Sequence, residues 1–98
     1  MIRCQYVRRN HMISISGHAG YAPKGQDIVC AGVSAIEYSL IKWLDTMAVE
    51  GIESKVVTGD DDCIVCHDER ADACMQMAWL GLCAIAENYP DNVVCMGG

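Results

Sequence analysis

The apolar residues of this chain change from alternate spacing to helical spacing and back, and this change of period constrains the fold more than any other feature. Residues 2–7 and 11–17 are rich in β-favouring residues, and isoleucines alternate with serines in the second segment. Such alternation is typical of a half-buried strand. The intervening Arg9-Asn10 dipeptide is typical of a turn. The opening of the chain therefore predicts a β-hairpin.

Helical spacing begins after Asp27 and ends near Gly51, a residue type that often terminates a helix. Apolar residues recur in between at three- and four-residue steps, which predicts a helix with one buried face. These positions are Val29, Val33, Ile36, Leu40, Trp43, Leu44 and Met47. The charged residues Glu37, Lys42 and Asp45 are predicted on the opposite, solvent-facing side.

The second half of the chain repeats the order of two strands and a helix. Residues 54–59 and 62–68 are predicted strands on either side of an acidic turn. The segment from Glu69 to about Tyr89 returns to helical spacing, and a proline follows it. Residues 92–96 are predicted to form a short last strand.

The resulting order, β-β-α-β-β-α-β, predicts an α+β fold. In such a two-layer sandwich, both helices pack on one mostly antiparallel sheet. No internal repeat or linker divides the chain, so residues 1–98 are predicted to form a single domain. A domain of this size buries a modest core, which favours burial shared with a second copy.

Charge and cysteine content narrow the functional classes. Seven Lys and Arg against 13 Asp and Glu give a net charge of −6, which argues against a nucleic-acid-binding surface. The cysteines number seven, and an odd count does not indicate a disulfide framework. The N-terminal segment lacks the apolar core of a secretory signal, and no apolar run is long enough for a membrane span. A cytoplasmic protein with free thiols is expected.

Residues 16–37, SGHAGYAPKGQDIVCAGVSAIE, are the segment best suited to chemistry. His18 ends the second predicted strand, and Cys30 falls in the first helical turn if Asp27 is the N-cap. Unpaired amides and the helix dipole favour a thiolate at that position. The eleven intervening residues can bring the imidazole to the sulfur, where it could accept the thiol proton.

The residues alone leave two interpretations of this pair open. One is a catalytic dyad, in which amides at the helix start, including that of Cys30, could bind an oxyanion. The other is a cysteine packed in the core and a histidine in a glycine-rich turn. Spacing by itself does not choose between them.

The same segment resembles the signature of the ribosomal-processing cysteine proteases of the Prp family. The shared features are a Gly-His-Ala turn, a glycine-containing loop and an Asp-Ile-Val-Cys-Ala segment followed by Val-Ser. In this sequence they fall on Gly17, His18, Ala19, Gly25, Asp27, Ile28, Val29, Cys30, Ala31, Val33 and Ser34. Gly32 stands where alanine is common. Beyond residue 40 the resemblance is limited to length and order of elements.

The resemblance implies a cysteine endopeptidase with Cys30 as nucleophile and His18 as general base. It implies no metal and no cofactor. The implied substrate is the precursor of protein twenty-seven of the large ribosomal subunit. Its short N-terminal extension is removed by cleavage after a hydrophobic sequence ending in paired phenylalanines. The family is cytoplasmic and dimeric, so a homodimer without direct nucleic-acid or membrane contact is expected.

The loop from Ala19 to Gln26 is expected to form and gate an apolar substrate cleft. Gly20 and Gly25 make movement of this loop physically reasonable, and Tyr21 is a candidate lid residue.

Three further residues are expected to support the dyad. Gly17 precedes the histidine, and Asp27 acts chiefly as the helix cap, with orientation of His18 as a lesser role. Ser34 lies one turn after Cys30 on the same helical face. It either steadies the site or packs between helix and sheet, and packing is favoured.

Residues 63–67, Cys-Ile-Val-Cys-His, match a haem-attachment pattern and half of a zinc or redox site. In a strand, residues three apart point to opposite faces, so Cys63 and Cys66 could share a metal or a disulfide only at a bend. Zinc would also need two further ligands, and no second paired motif is present. Chance occurrence in a cysteine-rich strand is the favoured interpretation.

Two other functions remain beside the protease. One is a non-enzymatic module that binds a ribosomal protein, and the other is a redox protein that uses Cys63 and Cys66. The second helix is apolar nearly all round, which predicts that it contributes both to the core and to a self-association surface. The residues considered for these roles are Met75, Met77, Trp79 and Leu80.

Overall fold

Five strands form one mixed sheet in the computed structural model, which describes residues 1–98. The strands are β1 (Ile2–Val7), β2 (Met12–Ser16), β3 (Lys55–Val57), β4 (Asp61–Val65) and β5 (Val93–Gly97). Their order in the sheet is β3-β4-β2-β1-β5. The pairings are antiparallel except for the parallel pair of β1 and β5, so the predicted, mostly antiparallel sheet is confirmed.

Two helices pack on this sheet, α1 (Ile28–Met47) and α2 (Asp72–Asn88). The order of elements matches the β-β-α-β-β-α-β prediction. Short 3₁₀ turns at Arg8–Asn10, Ala48–Glu50 and Glu69–Ala71 join the elements. The second helical segment therefore begins as a 3₁₀ turn, which the Asp68 side chain caps by accepting from the Arg70 amide.

The core lies between the sheet and the helices. Alternate residues of β1 and β2 are buried, and the apolar stripes of both helices cover them. The most deeply buried large side chains are Ile13, Leu44, Ile52, Ile64, Met75 and Leu82. The strands bury every second residue and the helices bury residues three or four apart, and these side chains together form one apolar layer.

One prediction about α1 is wrong. Lys42 and Asp45 are exposed as expected, but Glu37 is buried, with 5% of its surface accessible. Its position four residues after Val33 and three before Leu40 places it on the apolar stripe, so the helical spacing itself could have identified it.

Some apolar residues of helix α2 lie in the core, and others are exposed to solvent. Met75 and Trp79 are buried in the core, whereas Met77 and Leu80 are 71% and 59% exposed. The exposed side of α2 therefore includes large apolar residues. Neither helix combines the length and apolar composition that crossing a bilayer demands.

Candidate active site

Asp27 begins helix α1 and also holds the loop that precedes it. Its Oδ1 atom accepts hydrogen bonds from the amides of Val29 and Cys30, both at 3.0 Å. Its Oδ2 atom accepts from the amides of Tyr21 and Ala22, at 3.0 and 3.3 Å. One carboxylate therefore caps the helix and fastens the loop to it.

These donors also favour the ionised form of the Asp27 carboxyl. Backbone N–H groups, that of Cys30 foremost, hold the pKa of Asp27 below its usual range. The amides of Val29 and Cys30 are thus already bonded to an anion. The idea that the Cys30 amide binds an oxyanion is accordingly not supported while Asp27 caps the helix.

Cys30 is the third residue of α1, and its half-buried thiol faces the loop. The amide of Ala19 lies 3.4 Å from Sγ and donates to it. The sulfur thus lies in the first turn of α1 and beside a backbone donor. The Ala19 donor is a backbone group, and no pattern in the sequence could have identified it.

The residue next to that donor is His18, which follows β2 and is exposed. Gly17 precedes it with φ of +87°, a conformation that L side chains rarely adopt. A Cβ at this position would also overlap the carbonyl oxygen of Met1. Gly17 therefore lets the chain leave β2 beside the N-terminus and turn towards the helix.

Two cavities meet at His18, Cys30 and Ser34. The first, which we call the loop cavity, has a volume of about 760 Å³ and is bounded by Gly20, Ala22, the segment from Lys24 to Ile28 and the first turn of α1. The second, which we call the acidic cavity, has a volume of about 680 Å³. Its acidic residues are Glu37, Asp60, Asp61 and Asp62. Because both cavities include these three residues, a molecule bound at Cys30 can reach into both.

The remaining loop residues divide between cavity lining and anchoring. Gly20 and Gly25 line the loop cavity. Ala19 is 3% exposed, and its carbonyl accepts from Asn92 Nδ2 at 2.9 Å. Tyr21 packs edge-to-face on Tyr89, with ring centroids 5.4 Å apart, and lines neither cavity. The loop is thus fastened at its start, while Tyr21 lies outside the cleft in this conformation.

Ser34 lies on the same face of α1 as Cys30 and lines both cavities. Its hydroxyl makes no hydrogen bond within the chain, so it is available to a bound molecule. Ser34 is half-buried, and one of these cavities is also lined by Ile2 of β1 and Ile15 of β2, so a serine packed between helix and sheet stays a prediction.

Glu37 is the site residue that the sequence analysis missed. Its Oε2 atom is buried and has no hydrogen-bond partner. Burial, first, and then the neighbouring Asp62 carboxyl raise the pKa of Glu37 to about 8. A proton on Glu37 can supply a hydrogen bond between the two carboxyls.

The other cysteines differ from Cys30 in their surroundings. All seven cysteines are free thiols. Burial raises the pKa of Cys4 to about 11 and that of Cys95 to about 12, and burial also raises the pKa of Cys74. The buried Cys66 thiol donates to the carbonyl of Glu53 at 3.4 Å. Cys30 is the cysteine that shares a cavity with a histidine.

No three side chains of His, Cys, Asp or Glu are placed to hold a metal ion. This includes the Cys-Ile-Val-Cys-His segment, where half-buried Cys63 and fully buried Cys66 have different surroundings.

Comparisons with known proteins give one family. The sequence model of the cysteine protease Prp family matches residues 1–94. The ribosomal processing cysteine protease Prp of Mycoplasma genitalium is 30% identical over 88 residues, covering 90% of this chain and 88% of the relative. The protein of the same name from Mycoplasma pneumoniae is 32% identical over 84 residues, covering 86% and 84%.

The fold agrees with that family. The crystal structure of an essential ribosomal processing protease Prp from S. aureus, in complex with a covalently linked product peptide, superposes with a TM-score of 0.77. The superposition covers 96% of this chain and 94% of the S. aureus chain, and the two sequences are 20% identical. At this level of identity the likeness is one of fold.

Proposed function

Because the chain belongs to the cysteine protease Prp family, we propose that Cys30 is its nucleophile, that His18 is its general base, and that it cleaves a ribosomal protein precursor. The protein is a cysteine protease of the ribosomal-processing kind. One observation carries the residue assignment: His18 and the thiol that receives the Ala19 amide line the same two cavities.

The first chemical step is formation of a thioester. The His18 imidazole takes the proton of the Cys30 thiol, and the sulfur attacks the carbonyl carbon of the scissile peptide bond. The carbonyl electrons move to oxygen, giving a tetrahedral oxyanion. When this intermediate collapses, the C–N bond breaks and the imidazolium gives its proton to the leaving amine.

The second step is hydrolysis. Neutral His18 takes a proton from water, whose oxygen attacks the thioester carbon, and a second oxyanion forms. Its collapse breaks the C–S bond, releases the acid product and restores the thiol through the imidazolium proton. Helix dipole and Ala19 amide stabilise the thiolate that leaves in this step.

Candidate donors for the oxyanions are amides that line the loop cavity and make no hydrogen bond within the chain. Gly20, Gly25 and the first helical residue, Ile28, meet both conditions. Since Asp27 occupies the next two amides of the helix, an oxyanion at the sulfur would depend on these groups.

The proposed substrate is the precursor of protein twenty-seven of the large ribosomal subunit, cleaved after an apolar sequence at the end of its short N-terminal extension. The ribosomal-processing names of the relatives support this class of substrate. The apolar side chains of Ala22, Ile28 and Ala31 line the loop cavity and suit the residues before the cut. The S. aureus protein in complex with a substrate peptide, at a TM-score of 0.71, has the same fold.

We also propose a cytoplasmic homodimer. Seven free thiols suit a reducing compartment. The exposed Met77 and Leu80 on α2 offer an apolar surface to a second copy.

The decisive experiment compares Cys30→Ser, His18→Ala and wild-type protein on the precursor. We expect each variant to lose at least about a hundredfold in kcat/KM, because a proton acceptor or the nucleophile is removed. Circular dichroism should be unchanged, since His18 is exposed and Cys30 is only half-buried.

His67→Ala is the matched control, because His67 is also exposed but lines neither cavity. Mass spectrometry of the product gives the cut site. Undiminished cleavage by either the Cys30 or the His18 variant would contradict the assignment. Loss of cleavage in the His67 variant would show that the assay reports stability.

A further inference from the structure

The acidic cavity contains a buried carboxyl with one oxygen that has no hydrogen-bond partner. Glu37 is 5% exposed, and its Oε2 atom makes no hydrogen bond. An unsatisfied buried carboxyl costs free energy, so a ligand that satisfies it gains correspondingly. Glu37 lines the cavity that also contains His18 and Cys30, which directs any such ligand to the active site.

Further carboxylates surround Glu37. Asp62 of β4 lies beside it and is half-buried, while Asp60 and Asp61 are exposed at the rim of the cavity. β4 pairs with β2 in a register that sets Asp62 opposite Ile15, and this pairing brings the acids to the end of the sheet nearest the active site. The cavity therefore has an acidic floor and an acidic rim.

No cation within the chain forms a salt bridge with this cluster. Arg3 lines the same cavity but forms no ion pair, since the arginine that pairs with a carboxylate is Arg70, with Asp68. The acids are also not arranged for a metal ion. An elongated cation that enters from the active site fits both facts.

The distance from the reacting sulfur limits what can reach this position. Glu37 follows Cys30 by seven positions in α1, which corresponds to about 10 Å along the helix axis. An extended peptide advances about 3.3 Å per residue. A substrate residue two to four positions from the scissile bond can thus place a long side chain over Glu37.

We infer that the acidic cavity is a subsite for a lysine or arginine side chain about two to four residues after the scissile bond, bound by Glu37 and Asp62. The placement of this basic residue after the scissile bond, and not before it, rests on the proposed function, in which the apolar residues before the cut occupy the loop cavity. On binding, the proton held between the Glu37 and Asp62 carboxyls leaves to solvent, and the cation takes its place and also donates to the Oε2 atom that has no partner. A partly buried charge pair formed in this way is stronger than an exposed one.

The test uses synthetic peptides that share one apolar sequence before the cut and differ at a single later position. That position carries lysine, glutamine or glutamate, and is moved from the second to the fourth residue. Cleavage is measured with the wild-type enzyme. Binding is measured by calorimetry with Cys30→Ser, which keeps the peptides intact.

We expect wild-type kcat/KM to be about tenfold higher for the best lysine peptide than for its glutamine counterpart, and lowest for glutamate. Most of the difference should lie in KM, because the cation binds equally in ground and transition states. Glu37→Gln and Asp62→Asn should each bring the lysine-to-glutamine ratio close to one. Glu87→Gln, an exposed change on α2, should keep the wild-type ratio.

Different experimental results would contradict the lysine subsite and the proposed function. Equal cleavage of lysine and glutamine peptides at all three positions overturns the subsite but leaves the protease. Tighter binding of lysine peptides to Cys30→Ser without cleavage by wild type supports the subsite and overturns the substrate. If a lysine preference appears only in Arg3→Gln, Arg3 is the native occupant and the inference is wrong.

Discussion

Replacing Glu37 by glutamine should change how the stability of the protein depends on pH. Glu37 is buried beside Asp62, and its pKa rises from 4.5 to about 8 on folding. Between these values the folded protein keeps a proton that the unfolded chain releases. The stabilising contribution of the protonated form is therefore complete below about pH 4.5 and is lost as the pH rises towards about 8.

The magnitude follows from linkage. A single group of this kind lowers the free energy of unfolding by about 1.4 kcal/mol for each pH unit between its two pKa values. Over the interval from 4.5 to about 8 the loss amounts to about 5 kcal/mol, or less where the protein relaxes around the charge. This is comparable to the whole stability of a marginal domain, about 5 kcal/mol.

Glutamine has nearly the same shape, stays neutral and can donate its amide hydrogens to Asp62. The free energy of unfolding of the variant should therefore not show this fall with pH. Above about pH 8 the variant should be more stable than the wild type. Urea unfolding under reducing conditions from about pH 5 to pH 9 measures both proteins. The difference between the two curves cancels the titration of other groups.

Glu87→Gln replaces a carboxyl by an amide at an exposed helical site. The free energy of unfolding of this variant should change with pH in parallel with that of the wild type. The reasoning is refuted if the Glu37→Gln and wild-type curves stay parallel within about 1 kcal/mol over this range. That outcome would mean that the carboxyl is solvated or paired in solution.

The remaining predictions concern the loop anchor and the dimer. Asp27→Ala should lower both the thermal midpoint and kcat/KM, whereas Asp27→Asn should lower kcat/KM less, since its amide oxygen can still accept from the helix amides. Equal loss in both variants would show that charge, and not capping, matters. In light scattering the wild type should have the mass of two chains and Leu80→Glu that of one, because Leu80 is exposed on α2. A monomeric wild type at micromolar concentration would contradict the proposed dimer.

These outcomes separate three roles that the active-site region combines. Asp27 organises the loop and the helix start, His18 and Cys30 are proposed to react, and Glu37 is proposed to select the substrate. Each role has its own readout: stability and rate for Asp27, rate at constant fold for the dyad, and the charge preference among substrates for Glu37.

Local features of the sequence determined the elements and the position of the cysteine. Alternation at Ile13 and Ile15 indicates a strand, and the stripe from Val29 to Leu44 indicates a helix, because each depends on neighbours a few residues apart. The N-cap at Asp27 could be predicted for the same reason, and it places Cys30 in the first turn.

Only the tertiary structure decided what surrounds that cysteine. The Ala19 amide reaches Sγ across eleven positions of sequence, through a loop whose path depends on Asp27 and Asn92. Asp62 meets Glu37 because β4 returns beside β2, a pairing between distant segments. Burial and proximity of this kind arise from contacts between elements, and the period of a single element describes only its own faces.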